Sequence, residues 1–272
     1  MALKTWKENA ATGNPGTTGN WNGGTPVTGN DVAFNAGSVS VSVGEDALAA
    51  VDLGLVRVES GYAGSHGDED TPFKFDADEL VYNGRGAIAH YDGDLGLVRI
   101  VGTGSGLVIL DCDGSEELTQ VLAGGGRLLI KSGAKLASLI VKDCQVQIEA
   151  GVTISGPIVM VGGRGSVTTA SSTAGVSGSR GRVTYTGAAG DTAQIVTTGT
   201  LIDVQSSGTF ADVANYATDR GGVQIGGGSL DVTFTDYAFV DGARQDFDPM
   251  HPPARVTITN DADRIDFGLV GD

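Results

Sequence analysis

The sequence of 272 residues is short of cysteine, proline and aromatic side chains, and each shortage narrows what the chain can be. It has two cysteines and seven prolines, and aromatic residues make up 6%. Two cysteines provide neither a disulfide framework nor a metal-ligand set of their own. Glycine instead supplies 44 of the 272 residues, more than twice its usual share of about 7%. Abundant glycine with little proline indicates ordered turns rather than a disordered tail.

Basic residues are also scarce. Lys and Arg total 17 against 33 Asp and Glu, which gives a formal net charge of −16 and a pI near 4.4. Such a surface repels phosphate groups, because nucleic-acid binding depends on basic patches that release counterions. We therefore expect no nucleic-acid partner and no membrane partner.

Long apolar runs are missing as well. Residues 1–10 include two lysines but no apolar stretch after them, so no secretory signal is expected. The run Ile158-Val159-Met160-Val161 is far below the roughly 20 residues that a membrane-spanning helix needs. With 40% hydrophobic residues and a mean hydropathy of +0.03, the chain is predicted to be soluble, to bury a real core and to form mostly one domain.

The pattern of apolar and polar residues along the sequence predicts many short strands, and helix signals are nearly absent. Residues 39–43 alternate Val and Ser strictly, which predicts a strand with one buried face. Further short apolar runs are separated by glycine-rich turns. They lie at 55–58, 80–82, 97–101, 107–110, 128–130, 139–141, 146–148, 158–161, 167–169, 183–185, 194–196, 201–204, 223–225, 230–234, 238–240, 255–258 and 264–267.

One hexapeptide occurs twice. Asp52-Leu53-Gly54-Leu55-Val56-Arg57 returns unchanged as residues 94–99, a spacing of 42 residues that equals two coils of about 21. In such a stack Val56 and Val58 would face inward and Arg57 outward. Residues 126–142 show strands and corners without a hairpin signal. The shortage of aromatic residues suits a narrow solenoid interior, which we expect stacked Val, Ile, Leu and Ala to fill. The fold predicted is all-β, a right-handed parallel β-helix (solenoid), with an antiparallel β-sandwich as the alternative.

The two ends depart from this pattern. Residues 1–30 are dense in Gly, Asn and Thr and are expected to form an irregular arm or cap. Residues 31–245 form the solenoid body. Residues 246–253 contain three of the seven prolines, which interrupt a strand ladder, and residues 246–272 are predicted to form a small capping β element.

Paired acidic residues are the strongest candidates for chemistry. Asp111 and Asp113 would share one face of a strand, the arrangement that a polysaccharide-cleaving β-helix hydrolase or lyase would use, although acids at solvated corners are common. A second acidic group looks like an exposed loop. It comprises Asp68, Glu69, Asp70, Asp76, Asp78 and Glu79.

Metal and nucleophile signals are weaker still. Asp92-Gly93-Asp94 lacks the full ligand spacing of an EF-hand, and His66, His90 and His251 are scattered. Gly104-Ser105-Gly106 lies in turn-rich texture rather than at a strand-to-helix elbow. Cys112 and Cys144 each follow an acid at the end of an apolar run, and stacked coils could pair them, but buried free thiols are expected. We predict no catalytic, cofactor or metal site and a protein that is not an enzyme.

Five aromatic residues in the first third of the chain are candidates for a partner interface. If exposed together they would anchor a contact, whereas core or cap packing is the alternative. They are Trp6, Trp21, Tyr62, Phe73 and Phe75.

The amino-terminal region resembles a known group. Gly19-Asn20-Trp21, followed by residues 26–34 (PVTGNDVAF), is similar to the opening of β-solenoid proteins, in which a G-x-W, a P-x-x-G-D/N-D-V step and a first coil come in order. Such openings occur in bacterial autotransporter passengers and in virion proteins of tailed bacteriophages. The Leu-x-x-Val-x-x-Gly-Tyr-x-Gly pattern at 55–64 resembles the phage group more closely.

The resemblance, which covers roughly the first 65 residues, implies a non-enzymatic virion component that transfers no catalytic residues. We expect a capsid decoration (cement) protein that docks on the capsid surface through its amino-terminal arm and is located in the virion, which assembles in the host cytoplasm. The expected partners are the major capsid protein or other virion proteins, together with further copies of the chain, as in a trimer. The alternatives are a tail fibre or spike, or a glycan-directed β-helix protein that binds or depolymerises polysaccharide.

Overall fold

Stacked parallel strands form a β-solenoid of about 6 turns in the computed structural model, which is nearly all-β. The predicted fold class is therefore confirmed over the antiparallel sandwich. The structure describes residues 1–104, 106–112, 118, 120–156, 158–160 and 165–169, and beyond them the backbone of seven strands between residues 176 and 258. The chain divides into two units, Met1–Ala137 and Ser138–Asp272.

The first unit contains eleven short strands in its described residues. Two 3-10 turns, Thr18–Asn20 and Glu45–Ala47, are the helical segments of this part of the chain. The strands are β1 (Leu3–Trp6), β2 (Trp21–Asn22), β3 (Asp31–Gly37), β4 (Leu48–Tyr62), β5 (Phe73–Tyr82), β6 (Ile88–Asp92), β7 (Leu95–Ile100), β8 (Leu107–Leu110), β9 (Gln120–Ala123), β10 (Gly126–Ile130) and β11 (Lys135–Leu136).

These strands stack in two parallel rows. In the first row, β3, β4, β5, β7 and β9 follow one another, and one inward ladder consists of Val32, Val56, Leu80, Val98 and Val121. The second row begins with two residues that form single bridges, at 41 and 66, and continues with the stacked strands β6, β8 and β10. Its inward ladder consists of Val41, His66, Ala89, Val108 and Leu128. Each ladder residue is at most 1% exposed.

The duplicated hexapeptide occupies equivalent positions two coils apart, as predicted. Val56 pairs with Leu80, and Leu80 pairs with Val98. The two valines are buried, and Arg57 and Arg99 are exposed on the outer face. The coils are unequal, however, because Leu80 follows Val56 by 24 positions and Val98 follows Leu80 by 18. The first of these coils contains an exposed turn at 68–71 that the second lacks.

The strand predicted at 39–43 is wrong. Only Val41 forms a bridge, its N–H donating to the carbonyl oxygen of Ser65 at 2.8 Å, and Val43 is 59% exposed. Gly37 at φ 101° and Gly44 at φ 67° bend the chain on either side. Because the backbone is left-handed at both glycines, only Val41 of the segment 39–43 aligns with the neighbouring coil.

The expectation of an aliphatic interior is also wrong for the first coils. An aromatic cluster fills them, with ring centroids of neighbours 4.3 to 6.5 Å apart. Its members are Trp6, Trp21, Phe34, Tyr62, His66, Phe73, Phe75, Tyr82 and Tyr91. From Val108 onward the buried hydrophobic side chains of the described residues are aliphatic or cysteine, as at Leu128 and Ile130, and Thr169 is a buried polar residue.

The second unit repeats the two-row arrangement. Its strands are β12 (Leu139–Val141), β13 (Cys144–Ile148), β14 (Thr153–Ile154), β15 (Ile158–Met160), β16 (Ser166–Thr169), β17 (Val176–Tyr185), β18 (Thr192–Val204), β19 (Thr209–Ala217), β20 (Gly222–Ile225), β21 (Asp231–Val240), β22 (Ala243–Asp246) and β23 (Val256–Ile258). The long strand β17 pairs in parallel with β15 through its first half and with β16 through its second half. Strand β22 runs antiparallel to β21.

Apart from 39–43, the predicted runs from 55–58 to 255–258 all overlap observed strands. The run at 264–267 lies outside the described residues, as does most of the predicted element 246–272. The boundaries proposed at residues 30 and 245 stay predictions.

Candidate functional site

The amino-terminal segment, residues 1–30, is organised around the buried side chain of Asn20. The Asn20 amide nitrogen donates to the carbonyl oxygens of Thr12 (2.8 Å) and Asn14 (2.9 Å), and to the Thr12 hydroxyl (3.0 Å). Its amide oxygen accepts a hydrogen bond from the N–H of Ala11 at 3.1 Å. One side chain therefore fixes the loop at 11–14, and it comes from the variable position of the G-x-W pattern at residues 19–21.

The side chains of the two tryptophans pack this segment against the first coil of the solenoid. Trp21 donates its indole N–H to the carbonyl oxygen of Pro15 at 2.7 Å. The Trp6 and Trp21 rings meet edge to face at 4.9 Å, and each lies 5.5 Å from Phe34. Strand β1 pairs with β2 and β3, so the segment covers the edge of the first coil. A covered edge no longer offers unpaired backbone groups to other chains.

The five aromatic residues predicted as an exposed interface are instead interior. Each is at most 2% exposed, so the alternative of core and cap packing is the one observed. They are Trp6, Trp21, Tyr62, Phe73 and Phe75. Phe73 and Phe75 alternate with polar residues, a pattern typical of a strand with one buried face, whereas the glycine-rich segment around Trp6 and Trp21 gives no such signal.

Exposed apolar side chains are found near the same end. Met1 is 89% exposed, Leu3 61% and Val27 60%. All three lie close to the start of β3, since Leu3 pairs with Asp31 and the turn at 27–30 leads into Asp31. Solvent-exposed side chains of this size are candidates for a contact with another protein.

A polar cluster covers the second row of strands. Nε2 of the fully buried His90 lies 3.3 Å from Oδ2 of Asp111, and Nζ of Lys131 lies 3.0 Å from the same oxygen. The other His90 nitrogen, Nδ1, lies 2.7 Å from the carbonyl oxygen of Asp68. Both ring nitrogens thus face oxygen acceptors, and His90 joins the acidic turn to the coil beneath it. Sequence inspection missed this cluster, because unequal coil lengths hide which residues stack.

Only the first of the two predicted paired acids is among the described residues. Asp111 is engaged by Lys131 and His90, and Asp113 lies outside the described residues. In the exposed turn at 68–71, the N–H groups of Asp70 and Thr71 donate to the Asp68 carboxylate and lower its pKa below the ordinary value.

The other predicted acids belong to β5. Asp76 accepts the N–H of Asp94 at 2.9 Å, Asp78 is exposed, and Glu79 pairs with Arg99 at 2.8 Å. They are therefore side chains of a strand, whereas Asp68, Glu69 and Asp70 do form the expected exposed loop.

Metal ligands do not gather in the part of the chain that the structure describes. No three His, Cys, Asp or Glu side chains there are placed to hold an ion. His66 lies inside the aromatic cluster, His90 lies under the acidic turn, and His251 is outside the described residues. Gly104 and Gly106 lie in a turn, but Ser105 between them is likewise outside the described residues.

Both cysteines are buried thiols, as expected. Burial raises the pKa of the Cys144 thiol from 9.0 to about 12. A thiol that stays protonated is a poor nucleophile and a poor metal ligand.

Comparison with family models, with curated proteins and with solved structures finds no match for this chain. The described helices include none with the length and apolar character to cross a membrane. The fold therefore defines the class, a β-solenoid, and a function must be proposed from the residues themselves.

Proposed function

We propose that this protein is a non-enzymatic structural component of a phage virion, a capsid decoration protein that docks on the capsid surface through its amino-terminal end. The observation that carries the proposal is the role of the motif residues. Trp21 packs on Phe34, and Val32 pairs with Lys4 and Val56. Asn20, at the variable position between Gly19 and Trp21, fixes the loop at 11–14. The residues that resemble the opening of phage β-solenoid proteins therefore build one structural unit, the closed first coil.

The exposed apolar side chains at this end supply a contact surface. Leu3 and Val27 expose about three fifths of their surface, beside a segment that hydrogen bonds and ring contacts hold in place. A preorganised apolar surface loses little conformational entropy on docking. The proposed partners are the major capsid protein and further copies of this chain.

Particles purified from the source culture test the location. Mass spectrometry of the particles should detect the chain, and an antibody against it should label the capsid lattice. Labelling of the tail would replace decoration by the fibre or spike alternative, and absence from intact particles would overturn the virion proposal.

A pair of variants tests the docking surface. Leu3→Asp should abolish binding to capsid shells from which the chain has been stripped. Val101→Asp is the matched control, because Val101 is similarly exposed at 56% but follows β7. Equal binding by the two variants would contradict docking through the amino-terminal end.

A further inference from the structure

His66 occupies an interior position that offers its charged form no anionic partner among the described residues. It stands between Val41 and Ala89 in the inward ladder of the second row and is 1% exposed. Its Nδ1 lies 2.5 Å from the hydroxyl oxygen of Tyr91. Its Nε2 is buried with no hydrogen-bond partner among the described residues, so in the charged imidazolium the Nε2 proton would point at no protein acceptor.

Four aromatic rings from four strands enclose the imidazole. The centroids of Phe34, Tyr62, Phe73 and Tyr91 lie 4.3, 5.1, 5.5 and 5.5 Å from that of His66. The titratable groups among them are the two tyrosine hydroxyls, and burial raises the pKa of both above the ordinary value of 10. In the described part of the chain no carboxylate forms an ion pair with His66. Attraction of a cation to the surrounding rings offsets only part of the cost of burying a positive charge without an anionic partner.

We propose that His66 makes the first coils of the solenoid acid-sensitive: proton uptake by its imidazole opens the aromatic cluster and releases the amino-terminal segment. Phe34 transmits the change, because it contacts His66 on one side and both tryptophans on the other. Coils of a solenoid interact with their neighbours only, so its end can open while more distant coils stay folded. This inference is independent of the proposed virion role.

The direction of the pH dependence follows from burial. Burial lowers the pKa of His66 from 6.5 to about 3, so the opened state binds the proton more tightly than the closed state. The closed cluster therefore has its full stability above pH 6.5 and loses it progressively as the pH falls toward 3.

Tryptophan fluorescence reports on this cluster, because the only two tryptophans of the sequence are Trp6 and Trp21. On acidification we expect a red shift of emission at a higher pH than the loss of the far-ultraviolet circular dichroism signal, which follows all strands. His66→Gln should move the emission midpoint down by about one pH unit. His90→Gln removes a buried histidine outside the cluster and should not lower it.

Equal emission midpoints in the wild type and His66→Gln would overturn the inference. If that variant does not fold, nuclear magnetic resonance titration of the histidine rings in the wild-type protein decides instead. His66 should take up its proton over the pH range in which emission shifts. Protonation of His66 without a change in emission, or a change in emission while His66 stays neutral, would contradict the inference.

Discussion

Arg57 and Arg99 lie on one outer row of the solenoid, two coils apart, with Val81 in register between them. They come from the two copies of the same hexapeptide, yet their partners differ. Arg99 pairs with Glu79 of the preceding coil at 2.8 Å, whereas Arg57 pairs with Glu59 of its own strand at 3.5 Å. Repetition therefore sets the position of each arginine, and the neighbouring coil sets its ion pair.

Loss of the Asn20 side chain should destabilise the amino-terminal segment strongly. Asn20→Ala leaves the N–H of Ala11 and the carbonyl oxygens of Thr12 and Asn14 without this partner, and we expect a cost of about 3 kcal/mol. Denaturant unfolding followed by tryptophan fluorescence measures it. Asn22→Ala, at an exposed neighbouring position, should cost less than about 0.5 kcal/mol, and equal costs would refute the assigned role of Asn20.

Close backbone packing of the segment is tested by two glycines. A Cβ at Gly13 would overlap the carbonyl oxygen of Ser40, whereas the nearest atom to a Cβ at Gly19 lies 4.0 Å away. We expect Gly13→Ala to cost about 2 kcal/mol from overpacking and Gly19→Ala to change stability by less than about 0.5 kcal/mol. A thermal melt of each variant gives the comparison, and a neutral Gly13→Ala would mean that the segment does not pack there.

The Asp111 cluster should matter more to stability than a comparable surface pair. Asp111→Asn weakens the contacts to Lys131 and to the buried His90, with an expected cost of about 2 kcal/mol. Glu79→Gln removes an ion pair whose side chains are 33% and 50% exposed and should cost less than about 1 kcal/mol. Urea unfolding at pH 7 measures both losses of unfolding free energy. A larger loss for Glu79→Gln than for Asp111→Asn would contradict a stabilising role of the Asp111 cluster.

Alkaline conditions should destabilise the first unit through its buried tyrosines. Burial raises the pKa of Tyr82 from 10.0 to about 12, so the unfolded chain releases this proton earlier than the folded chain. Stability is fully present below pH 10 and should fall by about 2 to 3 kcal/mol by pH 12 from this group alone. Tyr82→Phe should show a shallower decline in unfolding free energy over that range. An identical decline in the wild-type protein and in Tyr82→Phe would mean that other groups cause the loss of stability at alkaline pH.

Strand positions and their inward faces could be predicted from the sequence, because period-two alternation and glycine-rich turns are local signals. The repeat at 42 residues also located Val56 and Val98 on one ladder two coils apart. Coil length is not a local signal. The turn at 68–71 lengthens one coil, so dividing the 42-residue spacing into two equal coils aligns the residues between the two copies with the wrong partners. For the same reason the contact of His90 with Asp111, and the place of His66 inside the aromatic cluster, could not be predicted.

Parallel stacking in this register is the central claim, and an engineered disulfide tests it most directly. Residues 57 and 81 are register partners on adjacent coils, about 4.8 Å apart, which suits a disulfide. Residues 57 and 99 are two spacings apart, about 9 to 10 Å, which is too far. The native cysteines, both buried, stay in both variants. Under mild oxidation Arg57→Cys with Val81→Cys should form an intrachain disulfide, detected by non-reducing peptide mapping, and Arg57→Cys with Arg99→Cys should not. Failure of the first pair, or equal cross-linking of the second, would contradict the stacked solenoid.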